Sequence, residues 1–319
     1  MIGAVGGSSQ PWELGVTPTS APPLVGQDDR RWSGQPIDRL GAMRLAPGTE
    51  SATPTDAVTA VPLVRAAGRT DQGPNRENNE DAVLVRSEAA AGFHLFAVAD
   101  GLGGHRAGEV ASRMVMETLA EGRPSADRPE RWLRQAFNAA NLAIWNHSQS
   151  HPEAFNLQST ATALILTGPD AVIGHVGDCR VYLLRDGVIT QCTSDHTQAM
   201  EMLRMRIITA EQAVRHPARN QLTRSLGAEL FLNVDVSRRR VLQGDVFVLC
   251  SDGLWSEVTR DEIAIAAEAE ADPDAVASSL IRIAVDRGAA DNVSVVVVRV
   301  AGPVEAPPVT HGRRWLPWR

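Results

Sequence analysis

The sequence predicts an α+β domain in which antiparallel sheets are covered by helices. Three observations carry this expectation. Strand-like segments follow one another through short turns between residues 160 and 192, helical periodicity comes in paired stretches, and the last strand-like segment is almost wholly apolar. Hairpins in series with grouped helices favour antiparallel pairing, because parallel strands need long crossovers.

Taken in order, Phe93 to Ala99 is an apolar run between Gly92 and Asp100-Gly101, which suits a buried strand. Helical spacing follows over Ala107 to Glu121. A second helix carries Leu133, Phe137, Ala140 and Ile144 on one face. Strands are then expected at Thr160–Thr167, Ala171–Val176, and in a hairpin of Arg180–Arg185 with Val188–Cys192, turned by Asp186-Gly187. A polar, partly helical insertion runs from Asp195 to about Gly227. Strands Val234–Val241 and Asp245–Cys250 come next, then helices near 260–268 and 273–287, and finally the strand Asn292–Val300.

The expected organisation is one domain over residues 61–301. Residues 1–60 are rich in Gly, Pro, Ser, Thr and Ala and bury too little apolar area to offset ordering, so disorder is expected there. A flexible tail is expected over 302–319. It ends with Trp315 and Trp318 among arginines, which reads either as a docking peptide for an acidic protein surface or anionic lipid, or as rings tucked against the domain.

Composition excludes several functions. The chain has 319 residues, 43% of them hydrophobic, and no apolar run long enough to span a bilayer. No secretory leader is expected. Cys179, Cys192 and Cys250 form no CxxC spacing and read as free thiols in a reducing, cytoplasmic compartment. A net charge of -7 argues against nucleic acid as partner. All 31 basic residues are Arg, so lysine Schiff-base chemistry and a Walker-type phosphate loop are excluded.

The chemistry lies where strands end. Asp100-Gly101, Asp178, Asp252-Gly253 and Asp291-Asn292 each stop or start an apolar strand, and Glu80-Asp81 precedes the first of them. Any one of these taken singly reads first as turn chemistry. Together they suggest a convergence that repulsion would oppose unless cations neutralise it. Oxygen ligands without a His/Cys cluster select Mg²⁺ or Mn²⁺, and two such ions about 3.5–4 Å apart can activate water and grip phosphate. Arg76, four residues before Glu80, suits the phosphate; its plain alternative is a surface arginine paired with acidic neighbours.

The sequence resembles the PP2C-type (PPM) metal-dependent serine/threonine protein phosphatases, most closely their bacterial members. The matching pieces are Thr70-Asp71-Gln72-Gly73-Pro74-Asn75-Arg76-Glu77-Asn78-Asn79-Glu80-Asp81-Ala82, Val98-Ala99-Asp100-Gly101-Leu102-Gly103-Gly104-His105, Gly177-Asp178-Cys179-Arg180, Ser251-Asp252-Gly253-Leu254 and Asp291-Asn292. Each piece is weak alone, but five in order over residues 64–300 are specific. The resemblance implies a four-layer α-β-β-α sandwich with metals between the sheet ends. It implies that Asp100 bridges two core ions, that the Gly101 carbonyl joins one of them, and that Asp252 and Asp291 hold the other. It places Glu80 and Asp81 at positions that contact a metal or its water, and Asp178 with Asp252 at a third, weaker ion. Arg76 matches the phosphate-binding arginine, and Asp195–Gly227 a mobile flap.

The implied activity is hydrolysis of phosphoserine and phosphothreonine in proteins, reversing Ser/Thr kinases and acting on their substrates. One departure is Leu102, where many eukaryotic members carry a histidine proposed as general acid. A metal-bound water or the nearby His105 would then protonate the leaving group, although a histidine at this place is more often a structural cap before the following helix. Two alternatives are a catalytically inactive module of this fold and a relative of the sporulation and stress-response phosphatases. The first should have lost acidic ligands, and the second lacks the Arg76-type motif and the flap.

Overall fold

The computed structural model describes residues 61–103, 107–151 and 156–302. The expected disordered N-terminal extension, the Arg/Trp tail and His105 lie outside the described residues.

Among the described residues, ten strands form two antiparallel five-stranded sheets. One contains β1 (Val64–Asp71), β6 (Arg180–Arg185), β7 (Val188–Gln191), β9 (Val246–Cys250) and β10 (Val293–Val300), in the order β1-β10-β9-β6-β7. The other contains β2 (Asp81–Glu88), β3 (Phe93–Leu102), β4 (Gln158–Thr167), β5 (Asp170–Val176) and β8 (Asp235–Arg240), in the order β2-β3-β4-β5-β8. Helices α1 (Ala107–Glu121) and α2 (Pro129–Ser150) cover the second sheet. Helices α6 (Arg260–Ala269) and α7 (Pro273–Asp286) cover the first. Three further short α-helices occur among the described residues: α3 (Gln198–Arg204), α4 (Ala210–Val214) and α5 (Asp252–Trp255).

Side-chain alternation explains why the central strands are apolar at every position. In β3, Leu95, Ala97 and Ala99 face the helical layer, while Phe96 and Val98 face the opposite sheet. In β10, Val293, Val295 and Val297 pack toward the helices, and Val296, Val298 and Val300 toward the partner sheet. Both faces are dry, so neither tolerates the polar alternation of a half-exposed strand. Three apolar layers between four layers of secondary structure make the expected α-β-β-α sandwich.

Several boundaries differ from those expected. β3 runs on to Leu102, so Asp100 lies inside a strand instead of ending it; the register with Thr160 and Asp81 carries the pairing past the acidic residue. β9 starts at Val246, because Asp245 turns away to pair with Arg185 at 2.7 Å. β1, β2 and α5 were not expected at all. β1 and β2 are largely half-exposed and lack the long apolar runs that betray the inner strands. Asp186 and Gly187 both have positive φ, 49° and 74°, which matches the tight hairpin turn the Asp-Gly pair suggested.

Candidate active site

The acidic residues come from five separate segments and meet at one end of the sandwich. Asp81 opens β2 directly opposite Asp100 in β3. Asp178 sits in the turn between β5 and β6, Asp252 opens α5 just after β9, and Asp291 immediately precedes β10. Burial is the main reason that Asp81 and Asp178 are each raised to about 8 and Asp252 to about 6. Mutual repulsion adds to it: Asp100 is raised well above the carboxylate range by burial and then by Asp252, Asp81, Asp178 and Asp291.

Hydrogen bonds hold some of these groups. Ser251 donates its hydroxyl to Asp81 Oδ2 at 2.6 Å. Arg76 Nη2 donates to Asp291 Oδ2 at 2.5 Å, so the expected phosphate ligand is paired with an expected metal ligand. Oδ1 of Asp252 is buried without any partner. Among the described residues no three His, Cys, Asp or Glu side chains already close around one point.

The donor set nevertheless fits hard divalent cations. It is oxygen only, it gathers more negative charge than a dry site sustains alone, and it leaves one buried carboxylate oxygen unsatisfied. A cradle beside Gly101 and Glu80 points the same way. The Cβ that Gly108 lacks would lie 2.7 Å from the Gly101 carbonyl oxygen and 2.6 Å from Cδ of Glu80, and a Cβ on Gly101 would overlap the Gly108 carbonyl. Only two glycines let α1 and β3 approach so closely. The Gly108 amide also bonds the Glu80 carboxyl, which burial pushes up overall.

One residue with no role assigned from sequence organises the site. Asn292 is buried, accepts from the Glu80 amide at 2.9 Å, and donates to the carbonyls of Gln72 and Asn78 at 2.7 and 2.9 Å. It thereby fastens the loop bearing Arg76 and Glu80 to the segment bearing Asp291. Asn75 reinforces this by donating to Ala289 O at 2.9 Å. The Asp291-Asn292 pair signalled a strand start, but nothing in it indicated a partner more than two hundred residues away. Gly108 gave no signal either, since one glycine near a helix start is unremarkable.

A family description, Protein phosphatase 2C, matches residues 73–293. The chain belongs to the protein phosphatase 2C family. It is 39% identical over 244 residues to "Serine/threonine protein phosphatase PstP" of Mycobacterium tuberculosis, covering 75% of this chain and 45% of that relative. It thus spans less than half the length of that protein. It is 35% identical over 241 residues to "Serine/threonine phosphatase stp" of Listeria monocytogenes, covering 74% of this chain and 95% of that one. The crystal structure of M. tuberculosis PstP/Ppp matches with a TM-score of 0.67 at 36% identity, covering 75% of this chain and 99% of the other. A second PstP catalytic-domain structure, with a TM-score of 0.66 and 36% identity, is described as a complex with two manganese ions.

Within this protein phosphatase 2C domain, the insertion expected as a flap contains α3 and α4. Its neck is closed by Thr197 pairing with Leu222, and its far end is tied to β4 by Leu226 pairing with Ser159. Its entrance is locked at His196, whose amide donates to Gly177 O at 2.7 Å while its Nδ1 accepts from the Gly177 amide at 3.0 Å. Asp178 therefore follows a residue clamped by the insertion. Among the described residues no helix is long and apolar enough to cross a membrane.

Proposed function

We propose that this chain hydrolyses phosphoserine and phosphothreonine in proteins at a centre of two divalent cations, Mn²⁺ or Mg²⁺, and so reverses Ser/Thr kinase signalling. The observation that carries this reading is the meeting of Asp100 and Asp178, both buried, with the half-buried Asp81, Asp252 and Asp291 in one cluster, Asp252 Oδ1 being buried and unsatisfied. Charge of this density has no structural benefit, because apolar residues would pack the same space without repulsion.

Asp100, the Gly101 carbonyl, Asp252 and Asp291 would hold the core ions. Glu80 and Asp81 stand beside them, and Asp178 with Asp252 would serve a third. When bound, the ions supply a water acidic enough to attack phosphorus and neutralise charge on the phosphoryl oxygens. The protein's own groups orient the substrate: Arg76, 45% exposed, can turn its guanidinium from Asp291 to a phosphate with little loss, since exposed ion pairs are weak. Asn292 and Ser251 fix the loop and carboxylate on either side. Leu102 has no exchangeable proton, so the leaving alkoxide takes its proton from another group.

A phosphothreonine peptide tests the reading. Phosphate release should require added Mn²⁺ or Mg²⁺ and stop with chelator. Full turnover in excess chelator would sink the two-cation centre, and no turnover under any condition would favour a binding-only module.

A further inference from the structure

A cavity of about 510 Å³ opens between the inserted helices α3 and α4 and the segment from Trp255 to Arg260. We propose that it docks the residues flanking the phosphorylated one, selecting an aliphatic side chain and an acidic side chain. This deepens the phosphatase reading and rests on it.

The first argument is position. Trp255, in the wall of the cavity, donates Nε1–H to Asp178 O at 3.0 Å, and the amide of Ser256 donates to Asp252 O at 2.9 Å. The cavity therefore adjoins the carboxylate cluster by single residues, within reach of a peptide whose phosphate sits there. Its size falls in the range of clefts that hold side chains and small ligands.

The second argument is rigidity. The Arg180 guanidinium lies 3.6 Å over the Trp255 ring and is held by Asp195 through Nη2 at 2.7 Å and Nε at 3.1 Å. Arg180 is thus neutralised and stacked, so it builds the wall and presents no free charge.

The third argument is the chemistry of the lining. Met200, Leu203 and Val214 give an apolar face, and Val214 is 71% exposed. Met205 and Ile207, on the same insertion, are each 66% exposed. Of these exposed apolar residues Val214 lines the cavity itself, and with Met200 and Leu203 it gives the cleft an apolar wall open to solvent. Arg219 and Arg260 also line the cavity, and both are exposed. Among the described residues neither has a carboxylate partner, although acidic residues outnumber basic ones by 38 to 31. Two unpaired cations flanking an apolar wall complement a segment that is both aliphatic and acidic, and repel a basic one.

Full-length protein with Mn²⁺ should be assayed on two phosphothreonine peptides, alike except that Asp residues flanking a Leu in one become Arg in the other. Wild type should favour the acidic peptide by at least ~10-fold in kcat/KM, the size of one charge-assisted contact. Arg219→Glu combined with Arg260→Glu should invert this, lowering turnover of the acidic peptide and raising that of the basic one. Structural damage would lower both, so the opposite movements report docking. Val214→Asp should weaken the Leu-containing peptide relative to one with Gly in its place. An unchanged preference in the double variant would overturn the proposal alone. Absence of hydrolysis of every substrate, p-nitrophenyl phosphate included, would remove the phosphatase reading and this one with it.

Discussion

Nη2 of Arg76 lies 2.5 Å from Oδ2 of Asp291, joining the first functional loop of the domain to the segment that leads into β10. Both side chains are partly exposed, at 45% and 29%, so the pair itself stabilises little. Its significance is placement, because it keeps the guanidinium at the mouth of the carboxylate cluster. Arg76→Ala should chiefly raise KM for phosphorylated substrates, with a loss of about 2–3 kcal/mol in kcat/KM. Steady-state kinetics decide the matter, and an unchanged KM would leave Arg76 as a surface ion-pair partner only.

Asn292 should behave differently from a surface amide. Asn292→Ala leaves the Glu80 amide and two carbonyls without their buried partner, which costs about 2–4 kcal/mol of stability. It should also loosen the loop carrying Arg76, so kcat/KM should fall even below the melting transition. Denaturant unfolding and kinetics on the same preparation test both halves. A variant as stable and active as the parent would mean that Asn75 and Arg76 suffice to hold the loop.

Removing one carboxylate should separate activity from stability. Asp252→Asn or Asp100→Asn should lose at least ~10²-fold in turnover, the scale seen when a group central to the reaction is deleted. Without added metal the same variants should melt no lower than the parent, because each relieves repulsion inside the cluster. Near-parental turnover in Asp252→Asn would show that this carboxylate has no part in the chemistry.

Stability of the metal-free protein should depend on pH in a direction opposite to ordinary acid denaturation. Asp81 and Asp178 rise from 3.8 to about 8 on folding, so the folded chain holds their protons more tightly than the unfolded chain. The stability that protonation confers is complete below about pH 4 and is lost as pH rises through about 8. Melting temperature without metal should therefore drop between pH 5 and pH 8.5, measured by thermal scans. Added Mn²⁺ should flatten or reverse that slope, since a cation replaces the protons and its binding releases them. A metal-free protein that melts higher at pH 8.5 than at pH 5 would contradict the raised values.

The inner framework could be read from local patterns along the chain. The paired helices, the apolar strands β3, β4, β9 and β10, and the Asp186-Gly187 hairpin were legible because burial on both faces and turn chemistry leave local signatures. The acidic positions were legible as well, since Asp100, Asp178, Asp252 and Asp291 each stand out against an apolar run. How these pieces meet is set by long-range packing. β1 and β2 are half-exposed, and they are strands because β10 and β3 supply their hydrogen bonds. Asn292 acquires its role only when the 72–80 loop arrives from the other end of the chain, and Gly108 only when β3 passes close enough to exclude a Cβ. The same holds for the cavity walled by Arg180 and Trp255. Contacts between residues far apart in sequence leave no local pattern, because the energy that selects them exists only once the two sheets have closed on each other.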